Sequence, residues 1–155
     1  MPANRLLLPV LGEPTEEALY GLACNLVRPS KGTVYAIYVV EVPRQLPVDA
    51  ELPEAAAKGE EVLKRVESEI RERRCLVVAE LLQARHAGAA IVKEAVEREA
   101  DQILLGATYK ERFGTLALGR TIAYVLQEAP CTVLVARVPI ALRHPAMSRS
   151  GEERA

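Results

Sequence analysis

The chain predicts an α/β protein, a three-layer α/β/α doubly wound sheet of five parallel strands. Three observations lead there. Short apolar runs alternate with amphipathic helical segments along the whole sequence, the pattern of strands joined by crossover helices. The runs are near-continuously apolar rather than alternating, as strands are when both sheet faces are covered. With 155 residues, 50% of them hydrophobic, the chain can bury one core. Right-handed crossovers then leave few topologies.

The first strand is Arg5 with the run Leu-Leu-Leu-Pro-Val that ends at Val10. Gly12, Glu13, Pro14 and Thr15 break it, and Pro14 suits a helix start because its missing N–H needs no partner there. Leu19, Leu22, Ala23 and Leu26 recur at helical spacing. The sequence Arg28-Pro29-Ser30-Lys31-Gly32 stops that helix. Residues 33–42, rich in Val, Ile and Tyr, form the second strand, and 43–53, with three prolines, a loop. Residues 54–73 read as a helix with Ala56, Leu63, Val66 and Ile70 on one face and a solvated charged face opposite. Residues 75–82 are the third strand and 83–88 a loop. Residues 89–99 are a helix that turns Ile91, Val92, Ala95 and Val96 inward. Residues 102–105 are the fourth strand, 107–118 a long loop, 121–127 a short helix and 131–138 the fifth strand. Residues 1–140 are expected to be a single domain and 141–155, which lack periodicity, a mobile C-terminal tail.

Composition excludes several classes. A formal net charge of −1 leaves no footprint for nucleic acid. No apolar run approaches the ~18 residues of a membrane span, so membrane insertion is not expected. The opening Met-Pro-Ala-Asn-Arg does not resemble a signal peptide, and a cytoplasmic location is expected. Cys24, Cys75 and Cys131 are widely spaced and odd in number, against a disulfide framework; each is expected to be a small buried hydrophobe. His86 and His144 have no ligand spacing to a cysteine, so no metal is expected. His86, before Ala87 and Gly88, is expected on the surface at a helix start, and Asp101 at the boundary between a helix and the fourth strand.

Gly106 ends a buried strand and Gly119 opens a helix. A glycine at the first position lets backbone approach a ligand. One at the second leaves free N–H groups where an anion is favoured. Ligands of doubly wound sheets bind beyond the carboxyl ends of the strands, where strand order reverses. The turns after Val10 and after Leu105 should therefore lie side by side and share one cleft. Lys110, Arg112 and Arg120 offer a basic rim. Tyr109 could stack on a ring, and Thr108 and Thr121 carry hydroxyls.

Several spaced motifs resemble the universal stress protein family over residues 4–138. Asp101-Gln-Ile-Leu-Leu-Gly106 is similar to its fourth strand. Leu118-Gly119-Arg120-Thr121 is similar to its next helix start, and Ala129-Pro-Cys-Thr-Val-Leu-Val135 to its fifth strand. Residues 40–53 also resemble the stress-protein domains appended to some amino-acid transporters, which points to a protein or transporter partner. The resemblance implies a Rossmann-like sheet of the adenine nucleotide alpha hydrolase-like type. It also implies a homodimer joined through the fifth strand, residues 132–138, with Thr132 at one end, Val138 at the other, and Val133 and Val135 available.

Members of that family that bind ATP carry Gly-x2-Gly-x9-Gly-(Ser/Thr) and an aspartate after the first strand. Here the first glycine is Gly106 and the third Gly119, but the second position holds Tyr109 and the Ser/Thr position Arg120. Leu11 follows Pro9 and Val10 where the aspartate belongs. Val39 matches the base-contacting valine. Tyr109 crowds the phosphate approach, Leu11 removes an acceptor, and Arg120 exchanges a hydroxyl for a charge suited to phosphate or carboxylate. The implied function is a dimeric regulatory or interaction protein with a degenerate motif and no ordinary ATP binding. The alternative is a protein that holds ATP, AMP or another anionic ligand in the Gly106–Gly119 cleft. There is no phosphate-binding Gly-Lys-(Ser/Thr) loop, no nucleophile elbow and no base pair, so catalysis is not expected.

Overall fold

The computed structural model describes residues 2–107, 111–112, 115–116 and 119–137. Thr108, Tyr109, Lys110, Val138 and the predicted tail lie outside the described residues.

Five parallel strands form the main sheet: β1 (Arg5–Pro9), β2 (Thr33–Glu41), β3 (Leu76–Ala84), β4 (Gln102–Ala107) and, last in the chain, β7 (Thr132–Arg137). A two-residue antiparallel pair, β5 (Glu111–Arg112) with β6 (Thr115–Leu116), stands apart within the predicted 107–118 loop. The order across the main sheet is β3-β2-β1-β4-β7. β1 is therefore central, and its leucines show what that demands. Leu6 and Leu8 pack into one core and Leu7 into the other, because successive side chains of a strand point to opposite faces. All three are fully buried.

The helices divide between those two faces. On one lie α1 (Glu17–Val27) and α2 (Pro53–Glu72), through Leu19, Ala23, Val62, Leu63, Val66 and Ile70. On the other lie α3 (Ala87–Glu97) and α4 (Arg120–Glu128), through Ile91, Ala95, Ile122 and Val125. This is the three-layer doubly wound α/β fold that the apolar runs predict.

Element ends differ by one or two residues from the sequence reading, for local reasons. α3 starts at Ala87 because His86 is already extended at φ −135. Gly88, read as loop, lies inside α3, where an added Cβ would sit 2.9 Å from Tyr124 Cδ1 of α4. It lets the two helices approach. Pro14 opens a 3-10 turn, Pro14–Glu16, that runs directly into α1. At the other end of α1 a second such turn, Arg28–Ser30, ends with Lys31 at φ 56. Only Cys24 is fully buried, whereas Cys75 and Cys131 are half-buried; all three are free thiols. That corrects the expectation that each is a buried hydrophobe. Asp101 accepts the N–H of Asn4 at 3.0 Å and so ties the start of β1 to the start of β4, away from the cleft.

Candidate functional site

The chain leaves β1 for β2 on one side and returns with β4 on the other, pairing Leu6 with Gln102 and Leu7 with Ile103. β1 and β4 thus flank the switch point, where their carboxyl ends diverge and a crevice must open. A cleft of about 300 Å³ lies there. Pro9, Val10, Leu11, Val39, Gly106, Gly119, Arg120 and Thr121 all line it. The two turns that the sequence sets side by side do share one wall. A second depression, about 310 Å³, shares Ala87, Arg120 and Thr121 with the first and adds the exposed His86 and Tyr124.

The walls are mostly apolar. Among the described lining residues one carboxylate (Glu16), one guanidinium (Arg120) and one hydroxyl (Thr121) supply the polar side chains. Glu16 escapes sequence reasoning, since an acidic residue in a first helical turn is ordinary. The 3-10 turn bends it back onto the loop after β1. There Leu11 donates its N–H to Oε2 at 2.7 Å and Gly12 donates to Oε1 at 2.9 Å. Gly12 turns at φ +89, a conformation that favours glycine. The Glu16 carboxylate is 8% exposed. Burial raises its pKa above the ordinary value, the two backbone bonds oppose that, and Glu13 nearby adds to it. Leu11 itself is 61% exposed. A carboxylate therefore sits at this turn, contributed from five residues beyond Leu11, with lone pairs left for a further donor.

The two helix starts beside the cleft differ. The N–H of Ala87, at the head of α3, is bonded to Glu41 Oε2 at 2.7 Å. No side chain caps α4 at Gly119. Its φ of −74 suits any residue, and an added Cβ would meet nothing within 4 Å. Gly106 is the opposite case: a Cβ there would come 2.5 Å from Leu19 Cδ1. Packing on α1 accounts for that glycine without a ligand. The donors of α4's first turn, with Arg120 beside them, form the electropositive end of the cleft. Among the described residues no carboxylate pairs with Arg120, and no group of three His, Cys, Asp or Glu could hold a metal ion.

Fold and cleft together define a doubly wound α/β protein with a ligand-type crevice at its switch point. The Universal stress protein family model matches residues 2–137, and the chain belongs to that family. A universal stress protein of Methanocaldococcus jannaschii is 30% identical over 142 residues, which cover 88% of this chain and 83% of the relative. The structure of a universal stress protein from Archaeoglobus fulgidus superposes with a TM-score of 0.72 at 21% identity, covering 87% of this chain and 97% of that one. A structure of the universal stress protein from the same organism in complex with dAMP gives 0.69 at 20% identity, covering 87% and 98%. No helix among the described residues is long and apolar enough to cross a membrane.

Proposed function

We propose that this chain is a regulatory universal stress protein that does not hold ATP in the manner of the family's ATP-binding kind, and that it works as a homodimer. The observation that carries the reading is the turn after β1. Leu11 stands exposed where an aspartate would receive adenosine, and its N–H is already committed to Glu16. Tyr109 and Arg120 depart from the same motif in sequence. No nucleophile–base pair accompanies the cleft among its described residues, so the protein is read as a binding and regulatory module rather than an enzyme. Dimerisation rests on β7, which among the described residues pairs with β4 alone and leaves Val135 39% exposed. An edge strand with apolar side chains is normally covered.

A second reading keeps a nucleotide in the cleft. Its support is the uncapped start of α4 beside Arg120, together with the dAMP complex of the Archaeoglobus relative. The cleft of about 300 Å³ falls at the small end of ligand sites, which run from about 300 to about 1,000 Å³.

Native mass spectrometry of the freshly purified protein, followed by calorimetric titration with ATP, AMP and cyclic dinucleotides, separates the readings. The first expects no retained ATP and no heat with millimolar ATP, and a gain of ATP affinity in the double variant Leu11→Asp, Tyr109→Gly. Retained ATP in the unaltered protein would overturn it. Heat with AMP and none with ATP would favour the second.

A further inference from the structure

A separate cavity, of about 350 Å³, borders the turn after β1 on the side of α1 and α2. Leu11 of that turn lines the cleft already described, whereas Gly12 and Glu13 line this cavity. Helix α1 adds Glu17 and Tyr20, three positions apart, and α2 adds Arg65 and Glu69, four apart; each spacing puts both side chains on one helix face. Three carboxylates thus share the wall with one guanidinium. That guanidinium is held by backbone, since Arg65 Nη2 donates to the Gly12 carbonyl at 3.3 Å. Glu69 has Arg73 at 3.7 Å, a partly exposed pair of little worth. Glu13 and Glu17 are exposed and have no cationic partner among the described residues.

Tyr20 is what turns an acidic surface into a site. The residue is only 3% exposed, and a buried phenol normally finds a hydrogen-bond partner. Its hydroxyl has none among the described residues, and it is not sealed from solvent either, so the oxygen opens on the cavity that the residue lines. Burial first, and then the charges of Glu16 and Glu69, push its ionisation up to about 12. The group is therefore a neutral hydroxyl, with lone pairs to offer a donor.

We propose that this cavity binds an aliphatic polyamine, with one ammonium group held by the Tyr20 oxygen and the carboxylates of Glu13 and Glu17. An ammonium has three donors and no acceptor, and these three groups supply acceptors to match. The carboxylates repel an anion. A bare metal ion is the poorer fit, because no group of three His, Cys, Asp or Glu among the described residues could hold one. The volume also exceeds the ~30 Å³ share of a single water many times over, which leaves room for a methylene chain. Glu69 on α2 lies apart from Glu17 on α1 across that space, so the negative charge is spread along the cavity as the positive charge is along a polyamine.

The test is calorimetric titration of the full-length protein with spermidine, and with magnesium chloride, at constant ionic strength. The expected result is one spermidine bound per chain, more tightly than magnesium. Tyr20→Phe and Glu17→Gln are each expected to weaken spermidine by about tenfold, the loss of one hydrogen bond to a charged group. The double variant Glu60→Gln, Glu61→Gln removes two exposed carboxylates of α2 that do not line the cavity, and it should keep the affinity of the unaltered protein within about twofold. No heat with millimolar spermidine overturns the proposal. So does magnesium binding as tight as spermidine, an unchanged affinity in Tyr20→Phe, or an equal loss in the Glu60 and Glu61 variant, which would mark a diffuse ion atmosphere. Glu17→Gln, at an exposed position, decides the outcome if Tyr20→Phe fails to fold.

Discussion

Gly106 is closed against Leu19: a methyl group on Gly106 would come 2.5 Å from Leu19 Cδ1, and Leu19 is itself 2% exposed. Gly119 faces open space across the same cleft. Two glycines of one motif therefore have different physical reasons to be glycine. Gly106→Ala forces a buried leucine off its position and is expected to lower stability by about 1–3 kcal/mol. Gly119→Ala sits at a permitted φ but puts a poorer residue at the N-cap of α4, so the two effects offset and stability is expected to change by less than about 1 kcal/mol. Denaturant midpoints of the two variants check this; equal losses would refute the distinction.

Glu16 gives the molecule a pH signature. Its carboxyl ionises near 4.5 in the unfolded chain and at a higher pH in the folded protein, because burial disfavours the charge. Between those values the native state holds more protons. The contribution of this group to stability is therefore full below the unfolded value and declines as pH rises through the folded one. The stability of the unaltered protein relative to Glu16→Gln is expected to fall as pH rises above 4.5 and through the higher folded-state value. A gap that widens over that range contradicts the sign. At neutral pH, Glu16→Ala leaves the Leu11 and Gly12 N–H groups without their acceptor and is expected to cost about 1 kcal/mol.

Arg98 anchors the far face of β2 and β3. Its Nε donates to Glu94 Oε2 at 2.6 Å, its Nη2 to Glu80, and its guanidinium lies 4.7 Å above the Tyr35 ring. Glu94 is 8% exposed, so removal of the cation leaves a mostly buried charge. Arg98→Ala is expected to cost about 2 kcal/mol, less than the 3–5 of a fully buried pair. Arg98→Lys should recover only part, because an ammonium cannot serve both carboxylates and the ring with one planar fork. A double-mutant cycle with Glu94→Gln measures the coupling.

The proposed dimer has a direct check. Sedimentation equilibrium at micromolar protein should give twice the chain mass, and Val135→Asp on β7 should shift it to monomer with little loss of helix content by circular dichroism. A monomer in the unaltered protein removes the β7 interface from consideration.

Much of the fold was legible in the chain. The Leu6-Leu7-Leu8 run reads as a strand covered on both faces, since only such a strand can hide three successive leucines. Leu63, Val66 and Ile70 mark the buried face of α2 by spacing alone. Gly88 was not legible as a helical residue, because its use is the contact with Tyr124 on another helix. The cleft was read in the same uneven way. Gly106 and Gly119 stood out by their places at a strand end and a helix start, and positions 11 and 120 through the family resemblance, but Glu16 did not, since its role depends on a 3-10 turn that folds it back on Leu11.

The amino-acid sequence alone determined the five-strand layered architecture and the family resemblance, which in turn implies the departures at Leu11, Tyr109 and Arg120. Each is written in local periodicity or fixed spacing, which survives without knowledge of neighbours in space. Only the tertiary structure decided which polar groups meet. Glu41 at the end of β2 bonds Ala87 at the start of α3, 46 positions away, and Asp101 before β4 accepts the N–H of Asn4 before β1, 97 positions away. Such contacts are fixed by strand order and helix packing, and they leave no periodic trace along the chain.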